Sequence, residues 1–191
     1  MSARRSKEDK TLAVSKAVLE VIERDGLLGI THSKVARKAG VSRAWIYEYI
    51  GKDHNVLTEF AADVLAGYFA RVKFALPKSK EQLQTQATEG LNFLFDAAVE
   101  DPVPIKLYFR FRGSKTPLGD VIKKHEKQWL TTAATTLEKL LEIPAEHAAL
   151  IAELTLTLRL GFAHRLATSA NPRETRASAE KIFSVLQGLI T

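Results

Sequence analysis

Apolar residues recur at three- and four-residue spacing along nearly the whole chain, and no stretch alternates apolar and polar residues as a half-buried strand does. That period selects the α-helix, so the expected fold class is all-α. The breakers are few, ten glycines and six prolines among 191 residues, and Gly26, Gly40, Gly51 and Pro77 fall between the periodic segments. About nine helices are expected, over 9–24, 31–39, 42–50, 53–76, 79–100, 101–113, 116–142, 144–169 and 171–190. Their starts carry cap signals: Thr31, Ser42, Ser79 with Gln82 as a capping box, Asp101-Pro102, Thr116-Pro117, and Asn171-Pro172 with Glu174. Gly26 ends the first helix, expected as a left-handed cap.

Composition removes several function classes. There is no cysteine, which excludes disulfides, iron–sulfur centres, thiolate zinc sites and a cysteine nucleophile. The start, MSARRSKEDK, has no apolar run behind its arginines and does not read as a secretory signal. No apolar stretch nears 18 residues, so no membrane partner is expected and a cytoplasmic location is. The five histidines lack metal-ligand spacing, and no nucleophile elbow, P-loop or dinucleotide fingerprint is present. The reading is therefore of a non-enzyme with no metal and no cofactor.

The positive charge is unevenly placed. Of a net +6, residues 1–52 hold eleven Lys/Arg against six Asp/Glu, while the other 139 residues are nearly neutral. Residues 31–52 hold five bases and one acid, Glu48. A basic segment of this kind suits a nucleic-acid surface and equally a solvated face. A domain boundary is expected at 52/53: a three-helix basic head over 1–52, with an arm at 1–8, then a helical bundle over 53–191. The helix at 53–76 links the two.

Residues 31–50, THSKVARKAGVSRAWIYEYI, have the layout of a helix-turn-helix. Val35 and Ala36 face neighbouring helices, Gly40 permits the sharp turn, Val41 fills the space beneath it, and Ile46 points inward. Ser42 caps the second helix and leaves Arg43, Ala44, Trp45 and Glu48 on its outer face. A helix so exposed can lay its N-terminal half in a major groove.

The segment TLAVSKAVLEVIERDGLLGITHSKVARKAGVSRAWIYEYI resembles the N-terminal DNA-binding domain of the TetR family of bacterial transcriptional regulators. The matching elements are the Gly26 break, Thr31, Val35-Ala36, Ala39-Gly40-Val41-Ser42, Ile46-Tyr47 and Tyr49-Ile50. The resemblance covers about residues 11–57. It implies nine or so helices, a homodimer, double-stranded operator DNA as partner, and a C-terminal domain that binds a small-molecule effector. Tyr47 and Tyr49 match positions that meet the DNA backbone. Three positions depart from the pattern: Trp45 stands where a small residue or threonine is usual, Ile50 where phenylalanine is usual, and Asp53 aligns with a lysine, with Lys52 one residue earlier.

Roles divide between holding and reading DNA. Thr31, His32 and Ser33 open a helix whose N–H groups favour phosphate, and Lys52 is a further phosphate candidate. Arg43 leads as base reader, able to grip guanine O6 and N7; Trp45 reads either as a contact to a thymine methyl group or as a plug that alters how the helix docks, and Glu48 either accepts from cytosine or repels wrong sites. Arg4, Arg5 and Lys7 would form a basic arm.

The C-terminal helices read as a dimerisation and effector unit. The helix at 144–169 is apolar nearly all round and needs cover on both sides. Leu156, Leu160, Ala163 and Ala167, with Ile182, Phe183 and Leu186 of the last helix, are the expected dimer face, the alternative being complete burial within one chain. Effector candidates are Phe95, Tyr108, Phe111, Arg112, Trp129, Arg159, Phe162 and His164, aromatics interspersed with polar groups. The leading expectation is a homodimeric, effector-responsive regulator, a repressor released by a small molecule. The alternative is a small-molecule-binding helical dimer without operator binding.

Overall fold

The computed structural model describes residues 6–71 and 77–188, and within them all side chains except those of residues 54, 71, 81, 83–91, 183, 184 and 186–188. Among the described residues there are nine helices and no strand. They are α1 (Lys7–Asp25), α2 (His32–Ala39), α3 (Arg43–Tyr49), α4 (His54–Arg71), α5 (Lys80–Glu100), α6 (Val103–Phe111), α7 (Pro117–Leu141), α8 (Ala145–Thr168) and α9 (Pro172–Gly188). The expected all-α class and helix number hold. The 72–76 part of the expected fourth helix lies outside the described residues.

Most starts follow the cap chemistry. The hydroxyls of Thr31, Ser42, Ser79 and Thr116 each accept a hydrogen bond from a backbone N–H three residues on, satisfying donors that a helix start leaves without partners. Two caps differ from expectation. The Gln82 side chain accepts from the Lys78 N–H, not from that of Ser79, so only half of a capping box forms. Asp101 ends α5, and α6 begins behind Pro102 with no side-chain cap. One cap goes beyond the sequence reading: Ser6 and Asp9 form a complete capping box. Helix therefore starts at Lys7, and only residues before it remain for an arm.

α1 packs on α2, α4 and α6, α3 packs on α2, and α8 packs on α5, α6, α7 and α9. Most of the buried apolar residues form one connected cluster. It runs from Val18 and Ile22 of α1 through Val35 and Ile46 to Leu65, Phe95, Leu107, Ile122, Phe162 and Ala179. Head and bundle share this core. Their junction is also polar: Arg110 of α6 donates through Nη1 to the carbonyl oxygens of Ile22 (3.2 Å) and Glu23 (2.6 Å) in the last turn of α1. The Ile22 carbonyl also accepts from the Gly26 N–H at 2.9 Å, whereas the carbonyls after it lie beyond the reach of the helix's own N–H groups.

Gly26 closes α1 with φ 76° and ψ 176°. This is not the left-handed helical cap expected but a region that only glycine populates comfortably.

Candidate nucleic-acid interface

α3 has only seven residues, too few to stand as a helix in water. Its neighbours hold it. Gly40 adopts φ 66° and ψ 38°, and the Val41 N–H reaches the Ala36 carbonyl at 3.1 Å, closing the turn. Ile46 is fully buried, worth roughly 1.5–3 kcal/mol of transfer free energy. Ser42 Oγ accepts from the Trp45 N–H at 3.1 Å. The exposed residues that result are Ser42, Arg43, Ala44, Glu48 and Tyr49.

Trp45 is not free on the outer face but half-buried and packed against the core, as in the plug reading. An indole has too much apolar surface to leave in water beside available core. Its other neighbour is Tyr49, with ring centroids 4.8 Å apart. Lys7 Nζ lies 4.5 Å from the Tyr49 ring centroid, which joins the first turn of α1 to the end of α3.

On α2, the Thr31 hydroxyl is engaged with the Lys34 N–H, and Ser33 is exposed. His32 faces inward along the motif. Its Nε2 lies 3.0 Å from the Gly51 carbonyl oxygen, and its ring meets that of Tyr47 edge-on at 4.9 Å. The Arg43 guanidinium donates through Nε to the Tyr47 hydroxyl at 3.2 Å.

The positive face is smaller than the sequence count suggests. Lys34 pairs with Asp25 at 2.8 Å and Lys38 with Glu20 at 2.7 Å, so two bases of the motif bind α2 to α1. Arg24 beside Asp25, with Lys34, holds that carboxyl well below the usual carboxylate range. The remaining bases of residues 31–52 are Arg37, Arg43 and Lys52, all exposed. Asp53, next to Lys52, accepts from the Asn55 N–H at 3.0 Å and so caps α4. Its carboxylate occupies the end of the helix where a phosphate would otherwise find donors. Arg4 and Arg5 lie outside the described residues.

In the bundle, a cavity of 40 Å³ lies between α4, α5, α6, α7 and α8. Tyr68, Phe69, Leu94, Ile105, Tyr108, His125, Glu126, Trp129, Leu156 and Leu160 line it. It has room for a few waters; anything larger must move its walls. Of the eight expected effector residues, only Tyr108 and Trp129 line this cavity. The Tyr108 hydroxyl donates to Glu126, and burial first, then that carboxylate, pushes the phenol up. Glu126 also takes Arg112 at 2.8 Å, from outside the cavity. Phe95 and Phe162 meet edge to face in the core. Phe111 is buried under Arg110, His164 leans on Phe109, and burial lowers the Arg159 guanidinium to about 10. The cavity residues come from five helices, so no local pattern marks Tyr68, Phe69 or Glu126.

The expected dimer face is corrected on α8. Ala163 and Leu156 are buried within the chain, and Leu160 and Ala167 pack against its core. Leu156 and Leu160 are cavity wall because that side of α8 meets α6 and α7. On these two helices, among the described side chains, the exposed large apolar residues are Leu150 and Leu154 of α8 with Ile182 and Val185 of α9, and the two leucines and the valine reach 57–64% exposure. Phe183 and Leu186 are outside the described side chains.

Among the described residues, no group of three or more His, Asp or Glu side chains is set to hold a metal ion, and no helix is long and apolar enough to cross a membrane.

A three-helix head with a helix-turn-helix, sharing its core with the remaining helices, is a fold that solved structures of transcriptional regulators share. Solved structures with this fold include a transcriptional regulator from Pseudomonas aeruginosa PAO1, at 21% identity and a TM-score of 0.63, covering 97% of this chain and 94% of that one. A TetR-family transcriptional regulator from Rhodococcus sp. matches at 17% identity and a TM-score of 0.56, over 93% of this chain and 98% of that one. A further transcriptional regulator from Rhodococcus sp. Rha1 matches at 20% identity and a TM-score of 0.59, over 93% and 96%. No family model and no curated protein matches the sequence.

Proposed function

We propose that the chain is a DNA-binding transcriptional regulator that acts as a homodimer and is released from its operator by a small molecule, hence a repressor. The observation that carries this reading is the α2–α3 motif. A recognition helix is anchored by Ile46 and the Gly40 turn, and its exposed face presents Arg43, Ala44 and Glu48 with Lys52 beside it. The shared fold with transcriptional regulators supports it. The dimer would form on the exposed apolar face of α8 and α9, placing two α3 helices on successive half-sites. The effector would enter the cavity around Tyr108 and Trp129 and is apolar over most of its surface, matching the aromatic walls. It shifts DNA affinity only if it binds the two head spacings with different strength.

Enrichment of duplexes from a randomised pool, followed by gel shift on the selected sequence, tests the reading. A two-fold symmetric site bound at nanomolar protein and abolished by Arg43→Ala is the expected outcome. Failure to enrich any sequence, with the folded protein retaining small-molecule binding, would replace it with the alternative of a helical ligand binder lacking an operator.

A further inference from the structure

Tyr47 lies one turn after Arg43 on α3, and two neighbours fix it. His32 meets its ring edge-on and is itself tied to the Gly51 carbonyl. The Arg43 guanidinium lies over the ring, 5.3 Å from its centroid, and donates to the phenolic oxygen through both Nε and Nη2. Arginine carries five N–H donors. With two directed at Tyr47, both hydrogens of Nη1 and one of Nη2 remain. One hydrogen of each Nη forms the outer edge of the guanidinium, a fork that can grip guanine O6 and N7 together. The tyrosine oxygen has two lone pairs and one hydrogen. Arg43 takes the lone pairs, so the O–H is left to donate, and a DNA backbone offers phosphate oxygens to accept it. Donation to phosphate in turn strengthens the phenolic oxygen as an acceptor for Arg43.

Resting on the DNA-binding reading above, we propose that Tyr47 is a positioning residue for base reading: it aims the outer edge of Arg43 at a guanine and couples that edge to a phosphate contact of its own hydroxyl. A tyrosine that only touches phosphate carries no base information. A tyrosine that orients Arg43 does.

The test uses the full-length protein and the duplex that it selects from a randomised pool, together with every single-base-pair variant of that duplex. Tyr47→Phe removes the oxygen and keeps the ring, so circular dichroism and melting should stay near wild type. Its expected signature is a fall of roughly three- to tenfold in discrimination at the one base pair per half-site that Arg43→Ala also affects. Discrimination at the other pairs should persist. In the Arg43→Ala background, Tyr47→Phe should leave that pair's discrimination unchanged, because the group it aims is gone. An equal loss of affinity for all duplexes, with every ratio retained, overturns the proposal and leaves Tyr47 as a phosphate contact. Enrichment of no duplex by the wild-type protein is a different failure: it overturns the DNA-binding reading and this proposal with it.

Discussion

Gly26→Ala should destabilise the chain by about 1–4 kcal/mol. Holding a residue with a side chain in the φ, ψ region that Gly26 occupies costs roughly 1–3 kcal/mol. The added methyl group would also stand 3.2 Å from Arg110 Nη2. That contact is with the far end of a flexible side chain, so Arg110 can move, but moving weakens its bonds to the Ile22 and Glu23 carbonyls. Such bonds are worth at most about 1–2 kcal/mol on an exposed arginine. Against this, alanine restricts the unfolded chain and returns about 0.4–1 kcal/mol. For a domain of this size each kcal/mol lowers the melting temperature by about 2–4 °C. Urea denaturation of wild type, Gly26→Ala, Arg110→Ala and the double variant separates the two contributions. If strain dominates, the single effects add to within about 0.5 kcal/mol. If crowding dominates, Arg110→Ala relieves much of the cost. A Gly26→Ala protein as stable as wild type would refute the backbone argument altogether.

Lys52→Ala should reduce the slope of log affinity against log salt by about 1 for each phosphate that the lysine neutralises, and weaken all operator sequences alike. Asp53→Ser keeps a capping oxygen for α4 while removing a negative charge at its N-terminus, so it should raise affinity for every duplex. Tighter binding to only some sequences would contradict that account. Leu154→Lys or Val185→Lys, at exposed positions, should yield folded monomers in sedimentation, whereas Leu156→Lys, inside the chain, should lower melting temperature instead. A wild type that sediments as a monomer would sink the dimer. The Asp25 carboxyl has its folded pKa below its unfolded value of about 3.9, so its contribution to stability is complete above that pH and fades as pH falls below it. Asp25→Asn should therefore lower stability at neutral pH, and a gap that persisted undiminished in strong acid would argue against an ionic origin.

What is legible in the sequence is local. Thr31, Ser42 and Thr116 act within three residues of themselves, and the Gly40 turn needs only its own φ, so the motif can be placed from its letters. The Ser6–Asp9 box has the same kind of signal, but the surrounding charge of MSARRSKEDK makes it read as a tail. α8 shows the limit. With apolar residues on all sides, Leu150 and Leu156 carry the same information in sequence, and only the neighbouring helices decide that Leu156 is inside. Lys34 and Lys38 count as a basic surface until α1 supplies Asp25 and Glu20 across the helix pair.

The single buried cluster from Val18 to Ala179 has a thermodynamic consequence. Ile22 and Leu65 belong to the same apolar contact network as Leu107 and Ile122, so melting the head would expose the inner face of α4 and α6 at the same time. Heat absorption on unfolding should then be all-or-none, with calorimetric and van't Hoff enthalpies equal. A head cut free at residue 52 would leave the inner side of α1 facing water, and α3 would lose the platform that holds its seven residues in shape.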